Sequence, residues 1–274
     1  MEKPVFELKE VSFSYLGRFP ALNNLNLSIS QGSKVVLMGA NGSGKSTLLS
    51  LLDAIIFPDK GSLEFFGSEL KEQKFSEDKF VRNFRKNVGF VFQNPDVQLF
   101  CPTVKEDIIF GPLQLGVSAQ EARDRLERLV SIFHIGDLLE RAPHQLSIGE
   151  KRKVALASVL AVDSQILLLD EPTAGLDPQT TRDIIDIILN ENASGKTIIT
   201  ATHDLHIIAE ISDRVHVFGS GKNIIRSDEP LKILSDEQFL QENNLVHIHR
   251  HKHGAEVHLH AHHHLDHHNH NEHT

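Results

Sequence analysis

Short apolar runs alternate along the chain with segments in which apolar residues recur at helical spacing. Short apolar runs are typical of buried strands, and recurrence at every third or fourth position is typical of helices packed on a core. The runs that predict strands are residues 5–13, 25–29, 34–38, 88–92, 166–170, 197–202 and 214–218. The segments that predict helices are residues 46–54, 148–161, 180–189 and 205–211, and another that begins at Ser118. This alternation indicates an α/β fold around a parallel sheet.

The segment from about residue 75 to residue 144 interrupts the alternation and has a mainly helical pattern. Within it, Ser118 is followed three residues later by Glu121, a spacing that predicts a capping box at a helix N-terminus. Leu126, Leu129 and Phe133 follow at helical spacing. We therefore expect a helix that packs its apolar side on a core.

The composition is that of a globular chain with a sizeable core, since 40% of its 274 residues are hydrophobic. The net charge of −9 argues against a global cationic surface for nucleic acid. Cys101 is the only cysteine, which favours a reducing compartment. No apolar run reaches about 18 residues, and no charged-then-apolar leader opens the sequence. We therefore expect neither a membrane span nor a secretion signal.

A glycine-rich loop follows the strand at residues 34–38 and precedes the first helix. It has the spacing G-x-x-x-x-G-K-[ST] and consists of Gly39, Ala40, Asn41, Gly42, Ser43, Gly44, Lys45, Ser46 and Thr47. Glycines let backbone N–H groups surround phosphate oxygens, and the helix N-terminus adds partial positive charge. Lys45 would reach the β- and γ-phosphates and Ser46 would coordinate Mg²⁺. The alternative, a chance Gly/Ser turn, does not require this strand–loop–helix context, so the loop predicts binding of ATP.

A second candidate element is the apolar run at residues 166–169, which ends in Asp170 and Glu171. In a nucleotide site, Asp170 would bind Mg²⁺ and Glu171 would orient or polarise the attacking water. The alternative is a plain strand end with a solvated acidic turn. Together with the glycine-rich loop, the two carboxylates favour hydrolysis of ATP.

Further motifs resemble the ATPase subunits of ABC transporters, and the resemblance covers residues 4–245. The pentapeptide Leu146-Ser147-Ile148-Gly149-Glu150 resembles the family signature, with Ile148 where the family commonly has Gly. By itself the pentapeptide would suit an ordinary helix N-cap. The resemblance implies a P-loop ATPase domain with a mostly parallel core sheet, an antiparallel β subdomain and an inserted helical subdomain at about residues 75–145.

The resemblance also implies roles for single residues. Gln93 matches the lid glutamine that contacts Mg²⁺ and water, and His203 matches the switch histidine at the γ-phosphate. Asp177 matches a dimer-contact loop, and Tyr15 matches the aromatic that stacks on adenine, although ordinary strand packing would also explain Tyr15. The signature would contact the γ-phosphate held by another subunit. A second ATPase subunit, either an identical chain or a paralogue, is therefore an expected partner.

Two segments, residues 90–100 and 107–112, resemble the energy-coupling-factor and cobalt/nickel importer branch of that family. The branch implies transmembrane importer subunits as partners and a peripheral position on the cytoplasmic face of the cell membrane. The cargo of that branch is a vitamin or a transition-metal ion. A soluble ATPase that works on nucleic acid or ribosomes is a third hypothesis, which the acidic balance disfavours.

Residues 246–274 form a histidine-rich tail with 13 of the 18 histidines. Two alternating sets would each face one side of an extended strand: His247, His249, His251 and His253, then His258, His260 and His262. Residues 254–256 between them would turn the chain. Imidazole suits Ni²⁺ and Co²⁺, so we interpret the tail as a metal-binding hairpin; a purification tag and a functionless solvated tail are the alternatives.

Overall fold

A computed structural model describes residues 4–246 with their side chains and, for residues 249–253 and 256–260, the backbone. The strands are β1 Pro4–Tyr15, β2 Phe19–Ser30, β3 Lys34–Met38, β4 Lys60–Phe65, β5 Ser68–Glu69, β6 Val88–Val91, β7 Ile166–Asp170, β8 Thr197–Thr202, β9 Arg214–Phe218, β10 Ile224–Asp228, β11 His249–His253 and β12 Glu256–His260. The helices are α1 Lys45–Leu52, α2 Asp78–Asn87, α3 Val104–Gln114, α4 Ala119–Phe133, α5 Ile148–Leu160, α6 Pro178–Ala193, α7 Leu205–Ile211, α8 Pro230–Leu234 and α9 Glu237–Glu242. Single 3₁₀ turns lie at Glu72–Ser76, Pro95–Val97, Gly136–Leu138 and Pro143–Gln145.

The central sheet has the strand order β10-β9-β3-β8-β7-β6. Neighbouring strands pair in parallel from β9 through β3, β8 and β7 to β6, whereas the edge strand β10 pairs antiparallel with β9. The predicted parallel α/β sheet is confirmed. Met38 pairs with Thr202, and Asp170 pairs with Ala201. The carboxyl ends of β3, β7 and β8 therefore meet at one edge, which brings three sequence motifs together.

A second sheet is antiparallel, with the order β2-β1-β4-β5. Helix α1 packs between the two sheets: Leu48, Leu49 and Leu52 are fully buried in one cluster with Phe6 of β1 and Leu168 of β7. Most of the helix surface is buried, and only Ser46 and Ser50, one turn apart, reach solvent. Because α1 is anchored in the core, the glycine-rich loop at its N-terminus is held in position.

The helices α3, α4 and α5 pack on the other face of the central sheet, in a cluster with β6, β7 and α6. Helix α2, in contrast, contributes Phe84 to the cluster between the two sheets. The predicted N-cap at Ser118 is confirmed, since its hydroxyl accepts from the N–H of Glu121 at 3.2 Å. The reciprocal half of the capping box was wrong, because the Glu121 carboxylate pairs with Arg125 at 2.6 Å instead.

The tail contains a two-stranded antiparallel hairpin of β11 and β12. His249 lies opposite His260 and His251 lies opposite His258 in the backbone register. The predicted extended strands are therefore found at residues 249–253 and 256–260. Glu256, predicted as part of a turn at residues 254–256, instead begins β12, while His247, His262 and residues 254–255 lie outside the described residues. Among the residues that the structure describes, no helix is long and apolar enough to cross a membrane.

Candidate active site

The loop at residues 39–47 lies between β3 and α1, as its motif requires. Gly44 has φ 113°, and a Cβ there would lie 2.5 Å from the backbone oxygen of Ala21, so a larger residue does not fit. Helix α1 has no side-chain N-cap, and its first N–H groups stay available to an anion. The hydroxyl of Ser43 is buried and has no hydrogen-bond partner among the described residues. The loop thus presents polar donors without protein partners.

Lys45 lies inside this loop and is 6% exposed. Its Nζ donates to the carbonyl oxygens of Gly39 at 2.7 Å and Ala40 at 3.3 Å. Burial lowers the pKa of Lys45, and the nearby carboxylates of Glu171 and Asp170 raise it. The two carboxylates predicted from β7 are therefore close to the loop lysine.

Asp170, at the end of β7, is 5% exposed, and its Oδ1 has no hydrogen-bond partner among the described residues. Burial raises its pKa, and a hydrogen bond with Ser46 lowers it. A buried carboxylate oxygen without a partner, beside a hydroxyl at a phosphate loop, is a donor set of hard oxygens that suits Mg²⁺. Asp170 and Ser46 therefore fit the ion that ATP hydrolysis requires.

Glu171 follows Asp170, and two side chains from the end of β8 hold its carboxylate. The Nδ1 of His203 lies 2.7 Å from Oε1, and the hydroxyl of Thr202 donates to Oε2 at 3.2 Å. The Glu171 side chain is 6% exposed, whereas that of His203 is 54% exposed. The backbone of Glu171 has φ 47°, a left-handed conformation that is uncommon for glutamate. The carboxylate is thus fixed in one direction at the sheet edge.

A cavity of about 420 Å³ contains both the loop and the carboxylate. Gln93 and Glu171 lie on its wall beside loop residues 41–47, and Tyr15 lies at its rim with 44% of its surface exposed. The Tyr15 hydroxyl is 3.2 Å from the hydroxyl of Thr47. The Tyr15 ring also packs edge-on against Phe13, with 5.0 Å between centroids. Tyr15 therefore contacts the phosphate loop through its hydroxyl and packs on its own strand through its ring, and adenine stacking stays a prediction.

The signature residues lie elsewhere. Ser147, Ile148, Gly149 and Glu150 line a different cavity of about 560 Å³, together with Asp177. Ser147 caps helix α5 in a reciprocal capping box, with the Glu150 carboxylate accepting from the Ser147 N–H at 2.7 Å. Leu146 is buried in the helical cluster. None of these residues lines the cavity of the glycine-rich loop, so one subunit does not bring the two motifs together.

Asp177 caps helix α6, and its carboxylate accepts from the Thr180 N–H at 3.0 Å and the Thr180 hydroxyl at 2.6 Å. These hydrogen bonds lower the pKa of Asp177. Asp177 lines the cavity of the signature residues, and its contact with a second subunit stays a prediction.

Three contacts at the site were not predicted from the sequence. Thr202 holds Glu171, Lys222 from the β9–β10 turn donates to the carbonyl of Gly42, and Arg152 of α5 donates to the carbonyl of Glu171. Thr202 stands next to the predicted His203, which is the only sequence signal for it. Arg152 and Lys222 act across the fold, and no local pattern distinguishes them from solvated cations.

The tail residues do not enter this site. Among the residues that the structure describes, no group of three or more His, Cys, Asp or Glu side chains is placed to hold a metal ion. For the hairpin, the structure describes the backbone register of β11 and β12 given above. Metal binding by the tail therefore stays a prediction.

Comparison with known proteins shows which family and which relatives this chain resembles. Residues 22–174 match the model of the ABC transporter family. The nickel import ATP-binding protein NikO of Rhodobacter capsulatus is 50% identical over 222 residues, which cover 80% of this chain and 87% of that protein.

Two solved structures have a similar fold. The first is cbiO1 from Clostridium perfringens, described as part of the ABC transporter complex cbiONQ, with a TM-score of 0.74 at 32% identity over 89% of this chain and 96% of that one. The second is a dimeric post-hydrolysis state of the ATP-binding cassette MJ0796 bound to ADP and Pi, with a TM-score of 0.72 at 28% identity over 82% of this chain and 98% of that one.

Proposed function

The chain belongs to the ABC transporter family as an ATP-hydrolysing subunit that energises a membrane importer, and on that premise we propose that the importer carries nickel or cobalt ions. ATP hydrolysis is supported above all by the position of the Glu171 carboxylate. It lines the cavity of the phosphate loop, and His203 and Thr202 hold it there.

In the proposed reaction, the oxygen of a water molecule forms a bond to the γ-phosphorus and the bond to the β-phosphate oxygen breaks. Glu171 accepts a hydrogen bond from that water and orients it, and the proton leaves to the carboxylate or to the released phosphate. Lys45 leaves its carbonyl partners for the phosphate oxygens. Ser46, Asp170 and Gln93 would hold Mg²⁺, which supplies charge neutralisation on the phosphates when it is bound.

The second subunit completes the site in this proposal. The signature residues line a cavity of their own, so Ser147 and Gly149 would meet the γ-phosphate of ATP on a partner's loop. The N-terminus of α5 offers the positive end of the helix dipole to that phosphate. Hydrolysis would remove these contacts and let the dimer reopen, which gives a two-state cycle.

A glutamine substitution tests the role of Glu171. Glu171→Gln keeps the shape and loses the charge, so ATP binding should stay within twofold while hydrolysis falls about 100-fold or more. Glu140→Gln, a change at an exposed carboxylate, is the control and should hydrolyse ATP normally. Hydrolysis at the wild-type rate by Glu171→Gln would remove Glu171 from the mechanism.

An exposed apolar patch supports docking of a membrane subunit beside this site. Val97 and Phe100 are each 67% exposed, and the Phe100 ring packs edge-on against Phe110 with 5.0 Å between centroids. The patch follows Gln93 in the chain, so a partner seated on it would lie next to the ATP cavity. Large exposed apolar groups of this kind mark interaction sites. We propose that the chain sits peripherally on the cytoplasmic face of the membrane through this patch; co-purification of membrane subunits with the wild type but not with Phe100→Ser would support it.

The nickel or cobalt assignment is supported by the likeness to NikO and by the tail. In the hairpin register His249 lies opposite His260, and His251 lies opposite His258. Imidazole is a ligand that suits Ni²⁺ and Co²⁺. We propose that residues 246–274 form a metal-binding unit separate from the ATPase domain of residues 1–245, whose helical subdomain spans about residues 75–145.

Calorimetry with Ni²⁺ and Co²⁺ on the full chain and on residues 1–245 separates the tail from the body. Binding by the full chain alone, weakened below about pH 6.5 where imidazoles take up protons, is the expected result. Equal binding by both chains would exclude the tail. Metal uptake by cells with and without this chain then decides between a metal importer and a vitamin importer, the alternative that the same ATPase would serve.

A further inference from the structure

Three consecutive cations near the start of helix α5 contact three different parts of the fold. Lys151 pairs with Asp96 at 2.6 Å, and Lys153 pairs with Asp183 of α6 at 2.8 Å. Between them, Arg152 points into the protein and is 8% exposed. Its guanidinium Nη1 donates to the backbone carbonyl of Glu171 at 2.7 Å. Of the three cations, only Arg152 contacts Glu171, the residue proposed to orient the attacking water.

The backbone of Glu171 needs such support. Its φ of 47° lies in the left-handed region, which costs energy for a residue with a side chain. Pro172 follows it, and a proline restricts the residue before it to extended conformations. Such a conformation persists only where surrounding contacts fix it.

Three hydrogen bonds hold the main chain of Glu171. Its N–H donates to the carbonyl of Ala201 at 2.8 Å, and its carbonyl accepts from the Ala174 N–H at 3.2 Å and, at the shorter distance of 2.7 Å, from Arg152. The tetrahedral geometry at Cα ties the direction of the Cα–Cβ bond to the positions of the backbone N and carbonyl C, and hydrogen bonds on both sides of Cα fix these two atoms. Arg152 therefore acts on the carboxylate without contacting the cavity.

The cost of burying this cation argues for a role beyond packing. The Nε of Arg152 has no hydrogen-bond partner among the described residues, and it is buried. A buried charge with an unsatisfied donor is expensive, and an apolar side chain of equal volume would fill the same space more cheaply. An apolar residue would lack the hydrogen bond to Glu171 and the positive charge near the Glu171 and Asp170 carboxylates.

We propose that Arg152 is a positioning residue for hydrolysis, which holds the Glu171 backbone in its left-handed conformation and thereby aims the carboxylate at the attacking water. Arg152 lies in the second turn of the helix that Ser147 caps. A shift of α5 when its N-terminus meets a partner's phosphate would move the same hydrogen bond. The helix thus connects the signature of one ATP site with the glutamate of the other.

This proposal rests on the proposed role of Glu171, and two substitutions at position 152 separate the hydrogen bond from packing. Arg152→Met keeps an apolar stem but has no donor, whereas Arg152→Lys keeps a donor on a flexible chain. In the full chain, assembled with the subunits with which it hydrolyses ATP, we expect kcat to fall about tenfold or more in Arg152→Met and less in Arg152→Lys. KM and nucleotide affinity should stay within twofold in both.

A matched control is available in helix α4, where Arg125 contacts the chain just beyond the C-terminus of α5. Arg125 is also a largely buried arginine, and its Nη1 donates to the carbonyls of Ala161 and Val162 at 2.8 and 2.9 Å. Arg125→Met removes the same type of contact far from Glu171. It should lower the melting temperature and leave kcat unchanged.

A double substitution completes the test. If Arg152 acts through the carboxylate, Arg152→Met should change the residual single-turnover rate of Glu171→Gln by less than twofold. The same tenfold loss in that background, a parallel loss of nucleotide affinity, or a wild-type kcat in Arg152→Met would each overturn the proposal. Wild-type hydrolysis by Glu171→Gln alone would instead refute the proposed role of Glu171, so the two failures are distinguishable.

Discussion

The Nδ1 of His203 lies 2.7 Å from the Oε1 of Glu171 at the edge of the central sheet. The carboxylate is buried whereas the imidazole is 54% exposed, and we infer that His203 links Glu171 to the γ-phosphate of bound ATP. A contact of this kind holds the carboxylate and leaves a second ring nitrogen for the phosphate.

Replacement of His203 by alanine should therefore lower kcat about 100-fold and change ATP affinity only a few-fold, because the binding loop is intact. Rates of phosphate release at saturating ATP measure this effect. His144→Ala, at an exposed histidine outside both cavities, serves as the control. An equal loss in both variants would contradict a specific role for His203.

Gly149 offers a test of the second subunit. A Cβ at this position would come no closer than 3.8 Å to the side chains that pack against its helix, so Gly149→Ala should fold and bind ATP normally. We expect it to lower hydrolysis about tenfold or more, because the added methyl group stands where a partner's phosphate would approach. Gly136→Ala, whose Cβ would also make an ordinary contact at 3.6 Å, should retain full activity. Full activity in Gly149→Ala would argue against contact of the signature with nucleotide.

Substitutions at Tyr15 distinguish between two roles for its ring, stacking on adenine and packing within its strand. Stacking of a base on an aromatic ring is worth about 1–3 kcal/mol, so Tyr15→Ala should weaken ATP binding by roughly 5- to 100-fold. Tyr15→Phe loses the contact with Thr47 but keeps the ring, and it should bind ATP nearly as well as the wild type. Fluorescent nucleotide titration gives both affinities. A drop in melting temperature with unchanged affinity would favour strand packing.

His216 on β9 predicts how stability depends on pH. It is 6% exposed, and its Nδ1 lies 2.7 Å from the hydroxyl of Ser227. Burial, with a smaller contribution from the charge of Arg214, lowers the pKa of His216 to about 4. The unfolded chain takes up a proton as the pH falls through about 6.5, but the folded chain does so only near 4.

The contribution of His216 to stability should therefore be complete above about pH 6.5 and be lost as the pH falls to about 4. Each pKa unit between the two states is worth about 1.4 kcal/mol, so the loss reaches roughly 3 kcal/mol. Denaturant unfolding at pH 7 and pH 4.5 should show a smaller pH dependence in His216→Leu than in the wild type. An unchanged pH dependence would mean that another group is responsible.

Local sequence determined the central elements. The strands Lys34–Met38, Ile166–Asp170, Thr197–Thr202 and Arg214–Phe218 have the predicted bounds, because a strand covered on both faces is apolar from end to end. The loop at residues 39–47 was equally predictable, because its glycines and lysine are required by the local backbone conformation of a phosphate loop. The family and the ATPase activity followed from these residues and from the signature.

The sequence said less about elements whose partners are far away in the chain. Strands β4, β5 and β10 and helices α8 and α9 were not predicted, and β1 and β2 are longer than their apolar runs indicate. Their residues are stabilised by pairing across the antiparallel sheet and by long-range burial, which no window of the sequence contains.

Only the tertiary structure decided how the chemistry is arranged. Lys45, Asp170 and His203 come from three separate segments, and they meet because parallel strands end at one edge of the sheet. The same packing puts the signature in a different cavity from the loop and turns Arg152 inward to the carbonyl of Glu171. Residue types specify which groups are present, but the distances between them depend on strand order and helix packing, and these are properties of the whole fold.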